Sequence, residues 1–220
     1  MPSKSNRVFK IDKLPSVKRL PAYLHLLREL SRRGEEFVSS SYFSEKMQIQ
    51  PVLVRKDLEL ARVNGAPRKG YEVTELIKGI ENFLGWNESI NAFLIGVGQL
   101  GSSILGNQHL MNVGLKVVAA FDKDPAKIGR RIEGVSVFEL GRLPGLAKRI
   151  HVRIAILCVP PEEAQKVTDL LVAAGIKGIW NFTHVTLITP EDVVTQKEDL
   201  ASGLAAMSAA LTQGSPHKKN

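Results

Sequence analysis

Three glycines, Gly96, Gly98 and Gly101, stand at Gly-x-Gly-x-x-Gly spacing between an apolar run, Ala92-Phe93-Leu94-Ile95, and a small, apolar segment, Ser102-Ser103-Ile104-Leu105. Strand, glycine turn and helix start in that order suit the capture of a dinucleotide pyrophosphate. Gly96 permits the tight turn, Gly98 lets the backbone approach the anion, and Gly101 lets helix and strand pack closely, with free N–H groups at the helix start facing the charge. Val97, Gln99 and Leu100 complete the loop as cofactor-binding candidates. Leu115–Phe121 reads as the next strand, and Asp122 ends it 21 residues after Gly101. A carboxylate there accepts ribose hydroxyls and repels a 2′-phosphate, so the expected ligand is NADH or NAD+. Lys123 is counted with the cofactor-binding residues. With Lys127 and Arg130 it makes a basic loop that leaves NADP(H) open.

A second constellation is basic. Leu20, Tyr23, Leu24, Leu27 and Leu30 recur at helical spacing up to Gly34, the serines at 39–41 offer N-caps to a short second helix, and Pro51 suits the first position of a third, Val52 to Val63. The brief turn before that third helix makes a helix-turn-helix pattern. The basic, turn-rich stretch Asn64 to Gly70 leads into a short strand near Tyr71, as a wing does. Arg55 and Lys56 on the third helix, Arg68 and Lys69 on the wing, and Lys46 and Gln50 beside the turn are the DNA-binding candidates. Pattern favours DNA over the alternative, a small helical bundle whose charges are only a solvated face.

Charge supports that division. The 220 residues carry a net +8, and residues 1–85 hold sixteen of the thirty lysines and arginines but only ten of the 22 acids. Such asymmetry suits a polyanion partner for the N-terminal segment. No apolar run reaches the roughly 20 residues a membrane helix needs, and no signal peptide is legible, so a cytoplasmic, membrane-free protein is expected. The histidines at 25, 109, 151, 184 and 217 show no ligand spacing with one another or with the single cysteine, so no metal is expected. Cys158 lies in the apolar run Ile154–Val159 and reads as a buried structural thiol.

Further strands are expected at 152–158 and 177–182, with helices around 143–149 and from Pro161 to about Ala174. Such alternation implies a doubly wound parallel sheet. A last helix, from about Lys197 to Leu211, carries Leu200, Leu204, Met207 and Leu211 on one stripe and must bury it on its own domain or on a second copy. The expected domains are a winged helix (1–85), an α/β dinucleotide-binding domain (86–195), a dimerisation helix (196–212) and a tail (213–220).

Along almost its whole length the chain resembles the Rex family of redox-sensing transcriptional repressors. The resemblance rests on Arg19-Leu20-Pro21-Ala22-Tyr23-Leu24, Val54-Arg55-Lys56-Asp57-Leu58, Gly70-Tyr71-Glu72-Val73, the glycine fingerprint, Phe121-Asp122-Lys123-Asp124-Pro125 with Lys127-Ile128-Gly129, residues 173–182, and Glu198-Asp199-Leu200. It implies a homodimer with N-terminal winged helices, Rossmann domains holding NADH or NAD+, and C-terminal helices exchanged between subunits. The dimer would sit on a palindromic operator in double-stranded DNA and be released by NADH. Val159 and Pro160, with Asn181 and Phe182, would line the nicotinamide end.

The family's redox switch joins an arginine on the first helix, a tyrosine after the fingerprint and an aspartate on the exchanged helix. The matching positions here are His25, Asn107 and Asp199, with Leu200 beside the last. A histidine in place of a guanidinium implies weaker or pH-sensitive discrimination between NADH and NAD+. Two other readings remain: a DNA-binding regulator whose nucleotide response is lost or altered, and an NAD-dependent dehydrogenase. The second is disfavoured because only about 30 residues follow the sheet, too few for the second domain from which such enzymes usually build a substrate pocket.

Overall fold

The computed structural model describes residues 14–199 and 201–214. The basic residues Lys4, Arg7, Lys10 and Lys13, Leu200 and the end of the tail lie outside the described residues. What is described falls into two compact units. One runs to Ile90 and takes in Asn112–Gly114, and the other comprises Asn91–Met111 and the chain from Leu115 onward.

The first unit opens with α1 (Leu14–Arg32), which buries Leu20, Tyr23, Leu24, Leu27 and Leu30 along one stripe. After β1 (Phe37–Val38), the Ser39 hydroxyl accepts the Tyr42 N–H at 3.2 Å and starts α2 (Ser40–Met47). Gln48 in the left-handed region ends α2, and Pro51 opens α3 (Pro51–Leu58). Val54, Asp57 and Leu58 face inward from α3. The third helix is shorter than the expected Val52–Val63, because it tightens into a 3-10 turn over Glu59–Ala61. That turn lies against Gly79 of α4 (Val73–Leu84), where an added Cβ would meet the Ala61 carbonyl oxygen at 2.5 Å.

The expected wing strand is β2 (Tyr71–Glu72), paired antiparallel with β1. Ahead of it, Ala66 and Gly70 exchange backbone hydrogen bonds of 2.6 and 3.0 Å, closing a tight basic tip. Gly70, at φ +87°, passes so close to the Val38 carbonyl that no side chain fits there.

The second unit is the doubly wound sheet. Its elements are β3 (Ile90–Ile95), α5 (Gln99–Leu105), α6 (Gln108–Asn112), β4 (Leu115–Asp122), β5 (Arg131–Ile132), β6 (Val135–Glu139), α7 (Leu143–Ile150), β7 (Ile154–Leu157), α8 (Pro161–Ala173), β8 (Gly178–Asn181), β9 (Val194–Lys197) and α9 (Ala201–Gly214). Strand order is β5-β6-β4-β3-β7-β8-β9; the recorded β3·β7, β4·β6, β7·β8 and β8·β9 pairs are parallel, and β5 runs antiparallel to β6.

Alternation along the strands separates two cores. Phe93, Ile95, Phe121, Ala155 and Leu157 pack on one face, while Ala92, Leu94, Ala120 and Ile156 pack on the other. Burial on both faces explains why the central strands read as continuous apolar runs. Two regions differ from expectation. The stretch from Gly129 to Val135, whose turn residues suggest a crossover, forms a hairpin instead, with Glu133 and Gly134 both at positive φ. Lys197 closes the edge strand β9 instead of opening the last helix, which begins at Ala201.

Candidate functional site

In an open α/β sheet the ligand crevice lies outside the carboxyl ends of the strands, where successive connections leave in opposite directions. Here that point is between β3, whose chain proceeds to β4 on one side, and β7 on the other. A cleft of about 1000 Å³ opens there. Its floor is apolar, with Ile95, Phe121, Leu140, Val167 and Leu170, and its polar wall carries Asp122, Lys123, Lys127, Glu163 and Lys166. The fingerprint loop is pinned on both sides: the Gly96 N–H donates to the Phe121 carbonyl and the Cys158 N–H to the Ile95 carbonyl, both at 2.8 Å.

Each glycine answers to a different constraint. Gly96 sits at φ +90°, and a Cβ there would lie 2.5 Å from the Cys158 carbonyl oxygen. Gly101 is buried, and a Cβ on it would strike the Gly96 carbonyl. Gly98 has ordinary backbone angles and open space around it, so what it keeps clear is room in the cleft. It caps α5, whose first N–H groups are free to meet an anion. A pyrophosphate fits this cradle.

Of the other cofactor candidates, Gln99, Leu100, Lys123, Val159 and Pro160 line the cleft. Val97 is buried and not among the lining residues, its N–H donating to Asp122 Oδ2 at 2.8 Å. The other Asp122 oxygen accepts the Asp124 N–H at 2.9 Å, and Lys127 Nζ lies 3.2 Å from Oδ2. Burial pushes this carboxyl up, but the two backbone donors and Lys127 outweigh it and hold the group below its ordinary value. With three donors in place, about one of its roughly four acceptor positions is left for a ribose hydroxyl. Lys123 pairs with Glu163 at 3.3 Å, and Lys127 also approaches Asp124 at 3.8 Å. Cys158 is half-buried and lines the cleft, where the apolar run predicts a fully buried thiol, and burial pushes that thiol up to about 12.

Asn181 and Phe182 are not among the residues lining the cleft. The buried Asn181 amide spends itself on its own loop, donating to the Val185 carbonyl and accepting from the Thr183 N–H and hydroxyl at 2.7–2.9 Å. Phe182 packs on Trp180, ring centroids 4.8 Å apart.

On the first unit, Arg55 and Lys56 project outward from α3, and Arg68 and Lys69 sit exposed at the wing tip, with Arg68 at φ +64°. The Lys69 ammonium lies 5.4 Å from the Phe37 ring centroid, and that of Lys46 lies 6.0 Å from the Tyr42 ring. Gln50, at the N-cap of α3, is exposed and makes no capping bond with its side chain.

Sequence reasoning missed the group that fixes α3. Asp57 is wholly buried, gripped by Arg19 from α1 through Nε at 2.6 Å and Nη2 at 2.7 Å, with the Tyr23 hydroxyl donating at 3.0 Å. Burial pushes the Asp57 carboxyl up, but hydrogen bonds from Arg19, Ser16 and Tyr23 and the Arg19 charge outweigh it and hold the group below its ordinary value. Burial and the Asp57 bond push the Tyr23 phenol the other way, upward. The available signal was an arginine and a tyrosine four residues apart on an otherwise apolar helix face.

The three switch positions are each engaged locally. His25 Nε2 lies 3.6 Å from Glu29 one turn along α1, Asn107 accepts the Leu110 N–H to cap α6, and Asp199 accepts the Ala201 N–H to cap α9. Leu200 lies outside the described residues.

Comparison with known proteins adds a second line of observation. Residues 14–59 match the family model "Putative DNA-binding protein N-terminus", and residues 87–185 match the model "CoA binding domain". The chain is 43% identical to the redox-sensing transcriptional repressor Rex of Treponema denticola, across 92% of this chain and 96% of that one. Among solved structures it resembles RSP, a Rex-family repressor. It matches RSP in complex with β-NAD+ and operator DNA with a TM-score of 0.85 at 33% identity (93% of this chain, 94% of that one), and RSP in complex with β-NADH with 0.82 at 32% (93% and 96%).

Proposed function

Because the chain belongs to the Rex family of redox-sensing transcriptional repressors, we propose that it binds operator DNA through its winged-helix unit and leaves when NADH fills the cleft of its Rossmann unit. The protein is a transcriptional regulator and not an enzyme. One observation carries the reading: a cleft with a pyrophosphate cradle and a basic winged helix are built into a single chain. A protein that works on an operator acts where the chromosome is, in the cytoplasm.

In this reading Gly96, Gly98 and the first turn of α5 hold the pyrophosphate, Asp122 takes an adenosine ribose hydroxyl, and Val159 and Pro160 lie toward the nicotinamide. Lys123 and Lys127 are already paired with carboxylates, which favours NAD(H) over a nucleotide with a further phosphate. Arg55, Lys56, Arg68 and Lys69 meet the DNA, Lys46 and Gln50 flank them, and binding weakens as salt rises. NADH moves the equilibrium only by its difference in affinity for the two states, and about 1–3 kcal/mol of coupling gives a useful response. For His25, Asn107 and Asp199 to change partners with cofactor state, each must first give up the local bond described above.

Dimerisation falls to α9. Every residue from Ala201 to Thr212 is exposed, and Leu204, Met207 and Leu211 are each more than half exposed, which an isolated helix does not sustain. The intact chain is expected to run as a dimer at micromolar concentration in sedimentation, and a chain ending at Asp199 as a monomer. Two intact-chain monomers in solution would sink the assignment.

The deciding experiment is fluorescence anisotropy of a labelled palindromic duplex selected from random DNA, titrated with protein and then with NADH or NAD+ at fixed salt. Release by NADH at much lower concentration than by NAD+ is the expected result. A complex indifferent to both nucleotides would overturn the proposed response.

A further inference from the structure

The outward face of α3 is not uniformly basic. At 100° per residue, Val52 and Lys56 stand on the ridge opposite the buried Val54, with Arg55 and Leu53 flanking it. Val52 and Leu53 are 49% and 39% exposed, side by side in the first turn. Neither packs in the core of its unit. A scattered surface leucine needs no explanation, but two adjacent aliphatic side chains at the leading end of a recognition helix occupy the positions that meet base edges.

An aliphatic group neither donates nor accepts a hydrogen bond, so phosphates and the polar atoms of the groove offer it nothing. The one apolar feature a base pair shows in the major groove is the C5-methyl of thymine. We propose that Val52 and Leu53 read thymine methyl groups, so that each half-site of the operator carries thymine where the first turn of α3 enters, beside the bases or phosphates reached by Arg55 and Lys56. The occupant is a DNA duplex because the same face carries those two exposed cations, one turn further along the helix. This inference rests on the repressor reading and deepens it: beside whatever the cations contact, the aliphatic pair supplies sequence without charge.

The test replaces thymine with deoxyuridine, one position at a time, in a duplex selected from random DNA by the full-length protein. The exchange removes a methyl and leaves the hydrogen-bonding edge unchanged. At a thymine read by this pair, loss of one buried methyl is expected to weaken binding about fourfold. The variant carrying Val52→Ser and Leu53→Ser is expected to bind the thymine and deoxyuridine duplexes alike, near the affinity of the wild type for the deoxyuridine form. Because both side chains lie outside the core, the variant is expected to melt within a few degrees of the wild type and to meet the duplex as a folded protein. The proposal is overturned if the wild type is indifferent to deoxyuridine at every position, or if the double variant keeps the preference. It is equally overturned if the substitutions change oligomeric state and not base preference, since the pair would then be covering another protein surface. Failure of the repressor reading looks different: no duplex is enriched or retained, thymine or not.

Discussion

Asp57→Ala is expected to remove about 2–4 kcal/mol from the stability of the N-terminal unit, somewhat less than the loss of one partner of a fully buried ion pair, because Arg19 stays about a quarter exposed. The substitution strands the Arg19 guanidinium and the Tyr23 hydroxyl, which now share the two oxygens of one carboxylate with no exposed surface. It also unfastens α3 from α1, so operator affinity should fall even where the unit stays folded. Chemical denaturation followed by circular dichroism, with anisotropy on the operator, measures both. A loss below about 1 kcal/mol, the worth of an exposed pair, would mean that the network is merely a surface contact. Acid gives an independent check. The folded-state carboxyl lies below its ordinary value, so its contribution is complete above the unfolded value near 4 and disappears as pH falls through the folded one. The advantage of the wild type over Asp57→Asn should therefore be constant from about pH 5 to 8 and shrink below about pH 4.

Gly98→Ala is expected to leave folding intact and lower NADH affinity at least tenfold, about 1.4 kcal/mol. A methyl there meets no protein atom within 4 Å, so the fold loses only the roughly 0.5–1 kcal/mol by which glycine is preferred to alanine at a helix N-cap. What the methyl occupies is the approach to the free N–H groups of α5. The variant should melt within a few degrees of the wild type yet remain on the operator at NADH concentrations that release the wild type. Gly101→Ala supplies the contrast: its methyl collides with the Gly96 carbonyl inside the protein, so stability and nucleotide binding should fall together. NADH binding to Gly98→Ala at wild-type strength, measured by fluorescence titration, would show that the pyrophosphate does not cross this loop.

The parts of the fold that are legible in the sequence carry their reason in local chemistry. Strand β3, the glycine turn and the acid at the end of β4 are each dictated by a steric or electrostatic need that a few neighbouring residues reveal. Proline at 51 and serine at 39 likewise announce helix starts. Strand β9 gave no such signal, since Val194–Lys197 is a four-residue edge strand with no apolar alternation to announce it. The hairpin of β5 and β6 depends on Glu133 adopting a left-handed conformation that its residue type does not advertise. The candidate site divides the same way. The placement of the cradle follows from spacing, whereas the spent acceptor positions of Asp122, the inward turn of the Asn181 amide and the grip of Arg19 on Asp57 are tertiary facts linking residues up to 38 positions apart.

The closeness of α9 to β9 along the chain limits what the terminal helix can do. From Lys197 to Ala201 are four residue steps, a tether that stretches to about 14 Å at most. A helix on so short a leash cannot search a wide radius for a partner. Adding the rise of the helix, Leu204 stands within about 19 Å of Lys197 and Leu211 within about 29 Å, so whatever hides the stripe, a second subunit included, must come within that reach of the end of β9. The terminal helix then acts as a latch with a fixed throw, and any movement of the cover against the sheet beyond that reach would have to pull it open.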